Sequence, residues 1–271
     1  MAEVLTVIGV GGMGQAIARR LGSGKTVLLA DYNEETLASV TGSLSADGHH
    51  IESRSVDVSS PESVRELAEF AASLGDVIHV AHTAGLSPSQ ASAEAILAVD
   101  LLGTALVLKE FGEVVAPGGA GVVIASMAGH MFPPLAAEQE KALAHNLPGA
   151  LLQLDYISSI TDPNFAYPIA KQANHIRVRA ASAHWGRRGA RINSISPGII
   201  STPMGQQELA SPVGDGMRAM IAMSATGRLG TPDDIAAAAA FLLGPSASFI
   251  TGTDLLVDGG VIAAVKAGNP A

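Results

Sequence analysis

Short apolar runs alternate along the chain with amphipathic stretches of helical length. The runs 5–8, 26–30, 77–81, 121–125 and 191–195 read as strands, and 255–257 closes the series. A further strand is expected at 50–56, although its residues are largely polar. The segments 14–21, 34–44, 61–73, 93–115, 166–187 and 232–243 carry the spacing of helices. Pro61 and Pro232 each follow a capping residue, Ser60 and Thr231, and Asp233 with Asp234 suits the positive first turn of its helix. The apolar runs are continuous rather than alternating, as in strands covered on both faces. Strand–helix alternation over the whole length predicts an α/β fold with a doubly wound parallel sheet, and a single domain over 1–271.

Composition narrows the function classes. The 271 residues are 48% apolar and 15% charged, which suits one domain of generous size. No apolar run reaches the length of a bilayer span, and the N-terminus shows no basic leader or cleavage site. A cytoplasmic protein is therefore expected. The net charge of -9 argues against nucleic acid and anionic membrane as partners, since both need basic footprints. The absence of cysteine removes disulfides and thiol catalysis.

Residues 9–14 read Gly-Val-Gly-Gly-Met-Gly directly after a predicted strand and at the start of a predicted helix. Gly9, Gly11 and Gly14 satisfy G-x-G-x-x-G, with Gly12 and Met13 between them. The pattern supplies a tight turn, close backbone approach to a pyrophosphate, and helix N–H groups aimed at its charge. This is the opening of a Rossmann-like fold. Asp31, beside Tyr32, ends the second strand 22 positions after Gly9, near the usual ~20 for an acid that bonds an adenosine ribose. A carboxylate there repels a 2′-phosphate, so NAD is expected rather than NADP.

Tyr167 and Lys171 stand four apart on one helical face. A neighbouring ammonium favours phenolate and brings a phenol of pKa near ~10 closer to use as an acid/base. With Ser126 at a strand end, Thr83-Ala84-Gly85, Asp57-Val58, and the run from Pro197-Gly198 through Ile200 and Thr202, the sequence resembles the short-chain dehydrogenase/reductase family over almost its whole length. The resemblance implies that Ser126 polarises a substrate oxygen and Tyr167 exchanges its proton. It implies that Lys171 holds the nicotinamide ribose and that Asp57, Val58, Thr83, Ala84, Gly85, Pro197, Gly198, Ile200 and Thr202 line the cofactor site. It also implies a homo-oligomer, dimer or tetramer, assembled through the helices 93–115 and 166–187.

Three features depart from the family pattern. The glycine loop is one residue short, with Ile8 where threonine is usual. Asp100 stands where the family has a relay asparagine, and it can still accept from a water joined to Lys171. Ser126 and Tyr167 lie 41 positions apart, where most members have little over a dozen. The extra residues, about 132–162, resemble those of the bacterial 3α-hydroxysteroid dehydrogenase/carbonyl reductase subgroup.

A second variable region, about 199–223, is expected to form the substrate loop. Met127, Met131 and Met204 are candidate walls for a bulky apolar carbonyl or secondary alcohol, because methionine adapts to irregular shapes. No metal is expected. His79 and His82 face opposite sides of their strand, and His49, His50 and His130 read as surface or turn residues, with substrate contact an alternative for His130. Two other readings stand beside this one: a two-domain 3-hydroxyacid dehydrogenase, whose opening also reads like residues 8–14, and a non-catalytic NAD-binding sensor.

Overall fold

The computed structural model describes residues 2–268. Seven strands, β1 (Glu3–Ile8), β2 (Thr26–Asp31), β3 (His50–Ser55), β4 (Asp76–His82), β5 (Val115–Ile124), β6 (Arg191–Pro197) and β7 (Asp254–Val257), form one sheet in the order β3-β2-β1-β4-β5-β6-β7. Every pairing is parallel. β1 and β2 are apolar almost throughout because helices cover both faces. β3 reads His-Ile-Glu-Ser-Arg-Ser because it is an edge strand, where polar side chains discourage pairing with another chain. The strand order reverses between β1 and β4, and the crevice beyond their carboxyl ends is where such sheets place ligands. The β/α alternation runs unbroken to β7, and no separate helical domain exists among the described residues, which removes the two-domain hydroxyacid dehydrogenase reading.

The helices α1 (Gly12–Leu21), α2 (Glu34–Ala46) and α3 (Pro61–Leu74) start close to where expected, α2 and α3 capped by Asn33 and Ser60. The expected helix 93–115 is different in kind. It comprises α4 (Ala93–Ile96), a π-helical segment Leu97–Gly103, and α5 (Thr104–Val114). A π segment leaves backbone groups outside the ordinary ladder. Here the Asp100 carbonyl accepts from the Thr104 hydroxyl at 2.8 Å and from the Asn174 side-chain amide at 2.9 Å.

Residues 132–162 hold α6 (Ala137–His145), a 3-10 segment Pro148–Gln153 and α7 (Asp155–Ser158). Leu143, Leu151 and Ile157 are buried against Ile96, Leu101 and Ala105 and against Ala166, Ala170 and Ala173 of α8 (Pro163–Arg187). The segment thus covers, within one chain, a face of the two helices expected to assemble the oligomer. Arg177 of α8 fixes it by donating to the carbonyls of Leu143 and Asn146 at 2.9 and 2.8 Å. After β6 come α9 (Pro203–Leu209), α10 (Gly214–Met223) and α11 (Pro232–Leu243), and α12 (Val261–Lys266) follows β7. No helix among the described residues is long and apolar enough to cross a membrane.

Candidate active site

The glycine loop is built by close backbone approach. Gly9 has φ +90°, and a Cβ there would lie 2.4 Å from the Ala84 nitrogen. A Cβ on Gly14 would strike the Gly9 carbonyl and, at 2.7 Å, the Thr83 hydroxyl. Thr83, standing where asparagine is usual, donates to the Gly9 carbonyl at 2.5 Å and ties the loop to the end of β4. Gly11 differs: a Cβ there meets nothing within 4 Å and would project into a cleft of about 680 Å³. No side chain caps the N-terminus of α1, so its unpaired N–H groups remain for a ligand. These features fit a pyrophosphate.

The cleft collects most of the expected cofactor residues. Gly9, Gly11, Gly12, Met13, Gly14, Asp31, Tyr32, Asp57, Val58, Thr83, Ala84, Gly85 and Thr202 all line it. Asp31 accepts from the Val10 and Asn33 backbone N–H groups at 2.7 and 2.9 Å, which fixes its carboxylate at the rim. No lysine or arginine lines the cleft, and Arg54 instead stacks its guanidinium on Phe70, 4.6 Å from the ring centroid. Thr202 caps α9 through Gly205 N–H and packs its methyl towards Gly12. Ile200 is buried and bridges to Gly230, Pro197 ends β6, and Gly198 lies against Asp258.

Ser126, Tyr167, Lys171 and Asp100 do not line this cleft but group behind it, Asp100 and Lys171 lying against Gly85, which does. Ser126 caps the 3-10 turn Met127–His130 after β5, accepting from Ala128 N–H at 3.1 Å. A hydrogen bond with Ser126 favours the ionised form of Tyr167, but burial and then the charge of Asp100 outweigh it and push the phenol well above its usual range. Glu208, on α9, adds a smaller push in the same direction. Lys171 is buried, its Nζ 3.4 Å from the Ile124 carbonyl, 3.7 Å from Asp100 and 5.4 Å from the Tyr167 ring centroid. The lowering of the tyrosine pKa expected from Lys171 is therefore not the outcome here: the ammonium faces Asp100, and the phenol stays protonated.

Asp100 is fully buried, and burial pushes its carboxyl above the ordinary range against the pull of Lys171 and of the Leu86 N–H. Its Oδ1 accepts from Leu86 at 2.9 Å, while Oδ2 has no hydrogen-bond partner. Gly85 makes the approach possible, since a Cβ there would lie 2.9 Å from Asp100 Oδ1 and 3.2 Å from Lys171 Nζ. The π segment that presents Asp100, and the Asn174 amide that holds its carbonyl, were beyond sequence reading. Apolar spacing through 93–115 carries no mark of the change in helix type.

The three methionines separate. Met204 borders the cleft. Met127 is buried against Ile199, Val261 and Ile262. Met131, 40% exposed, borders a second cavity with His130 and Phe132 that shares no lining residue with the cleft.

With this geometry in place, likeness to known proteins is informative. A family model described as short chain dehydrogenase matches residues 3–137, and one described as Enoyl-(Acyl carrier protein) reductase matches 132–262. A short-chain dehydrogenase/reductase of Alternaria brassicicola is 44% identical over 265 residues, 96% of each chain. A D-threitol dehydrogenase of Mycolicibacterium smegmatis is 29% identical over 92% of this chain and 88% of its own. A short-chain type dehydrogenase/reductase structure from Mycobacterium ulcerans superposes with a TM-score of 0.75 at 24% identity, covering 97% of this chain and 90% of that one. The chain belongs to the short-chain dehydrogenase/reductase family.

Proposed function

We propose that the protein is an NAD(H)-dependent oxidoreductase interconverting an apolar ketone and its secondary alcohol. The observation that supports this reading is the grouping of Ser126, Tyr167 and Lys171 behind Gly85, at the wall of a glycine-lined cleft whose lining contains no lysine or arginine. A bound nicotinamide supplies or accepts the hydride. The chain does the rest. Tyr167, kept as a neutral phenol, gives its proton to the carbonyl oxygen during reduction. Ser126 donates a hydrogen bond to the same oxygen. Lys171 holds the ribose hydroxyls, and Asp100 steadies the ammonium.

The preference for NAD rests on Asp31. Its carboxylate accepts from a ribose hydroxyl and repels a 2′-phosphate, for which the cleft offers no positive partner. A charge-assisted hydrogen bond is worth roughly 1.5–3 kcal/mol, or one to two decades in affinity. Fluorescence titration should therefore find NADH bound at least tenfold more tightly than NADPH, and equal affinities reject the assignment.

The apolar substrate rests on Leu86, Val99, Pro203 and Met204 along the cleft, and on the resemblance of residues 132–162 to the hydroxysteroid dehydrogenase subgroup. The threitol-acting relative makes an open-chain polyol the natural competitor. Cyclic ketones and hydroxysteroids should outpace polyols in a cofactor-absorbance assay, and the reverse order overturns the apolar reading.

A further inference from the structure

We propose that His130, His175 and Asp254 form a second binding site, distinct from the cleft, for a divalent transition-metal ion of the zinc class. One ligand atom from each lies within 4.8 Å of the other two. His130 Nε2 is 2.8 Å from Asp254 Oδ2, and His175 Nε2 is 3.5 Å from Asp254 Oδ1. The two imidazoles lie side by side, centroids 4.7 Å apart, with the carboxylate in front of both. Two imidazole nitrogens and a carboxylate are a zinc donor set, and bond lengths of ~2.0–2.2 Å put neighbouring ligand atoms of a tetrahedral site ~3.3–3.5 Å apart. The two imidazoles approach different oxygens of the carboxylate, at 2.8 and 3.5 Å, close to that value, and all three ligand atoms lie within 4.8 Å, so rotations of the rings and the carboxylate close the site.

The surroundings are those of a built site. Asp254 Oδ1 accepts from the hydroxyls of Ser194 and Ser196 at 2.6 and 3.0 Å, and Ser196 also lies 2.8 Å from His175 Nε2. Such outer hydrogen bonds hold a metal-binding carboxylate in orientation. All three groups line a cavity of about 840 Å³, which leaves the fourth coordination position to water. Glu140 lines the same cavity and neutralises the Arg179 guanidinium at 2.7 Å. Coordination needs only that each imidazole carry its proton on Nδ1 instead of Nε2, so no net proton is lost. The ligands come from the turn after Ser126, from α8 one helical turn past Lys171, and from β7. The ion thus pins three elements that also frame the active site.

The test is a Zn²⁺ titration of the intact protein against a chromophoric chelator, repeated with Co²⁺ to read ligand-field bands. One ion per chain is expected, with tetrahedral or five-coordinate Co²⁺ absorption. His130→Ala and Asp254→Asn should each weaken binding by more than ~100-fold. Ser196→Ala, which leaves all three ligands in place, should weaken it by about 10–100-fold. His130 sits in a partly exposed turn, so its variant should melt normally and still bind NADH; it carries the test even if Asp254→Asn misfolds. Failure to bind one ion per chain overturns the proposal. So does binding that His130→Ala leaves unchanged, which would place the ion elsewhere on the chain.

Discussion

Asp100→Asn removes one buried negative charge while keeping the shape and the oxygen that accepts from Leu86 N–H. Lys171 Nζ is 3.7 Å from Asp100 and 5.4 Å from the Tyr167 ring centroid, which together place the carboxylate within about 9 Å of the ring. At an effective dielectric of ~20, two charges that far apart interact by about 1.8 kcal/mol. At ~1.36 kcal/mol per unit this is roughly one pKa unit. The sign follows from Asp100 opposing ionisation of Tyr167. Its removal favours phenolate, and the Lys171 ammonium, no longer balanced, acts in the same direction. The assay is the pH–rate profile of alcohol oxidation at saturating NAD. The alkaline limb should move about one unit towards lower pH, with NADH affinity unchanged. An unmoved limb in a folded, NADH-binding variant refutes the coupling and leaves Asp100 a purely structural residue.

Acid should destabilise the protein through three histidines. Burial holds His82 down to about 3, and His79 and His175 down to about 4. Below the unfolded value near 6.5 the unfolded chain binds protons that the folded one refuses, so stability falls as pH drops from 6.5 towards 4, by up to ~1.4 kcal/mol per pH unit per histidine. Denaturant melts should show that slope, and His82→Gln should reduce it by about one histidine's share; an unchanged slope contradicts this. Arg177→Leu strips its partner from carbonyls at the C-terminal end of α6 and should cost roughly 1.5–3 kcal/mol. Hydrogen exchange should quicken across 137–158, and unaltered protection there would show that Arg177 does not fix the segment.

The sheet was largely legible in the chain because strands covered on both faces leave continuous apolar runs. β1, β2 and β4 extend the expected spans by one or two residues. β5 begins at Val115, six residues before its apolar run, because Val77 of β4 pairs with Val115 across a register shift. The tight glycine turn after β1 was legible because close backbone approach constrains sequence at fixed spacing. Proton energetics were not. Tyr167 and Lys171 suggest a lowered phenol pKa, but the result depends on burial and on Asp100, which a π segment presents from 67 residues upstream of Tyr167. The metal-ligand cluster was hidden for the same reason. His130, His175 and Asp254 lie in separate elements and meet only because β6 and β7 pair beside the turn after Ser126.

In the proposed mechanism Tyr167 gives and takes the substrate proton. Tyr167→Phe deletes one hydroxyl and leaves the cleft lining intact, so NADH titration should return nearly the parent affinity. Acid/base catalysis is worth ~10²–10⁴-fold, and kcat for ketone reduction should fall by at least that much. Both quantities are read from one preparation, by cofactor fluorescence and absorbance. Intact NADH binding with turnover lowered a hundredfold or more is the predicted result, and a variant that keeps most of its turnover contradicts the account.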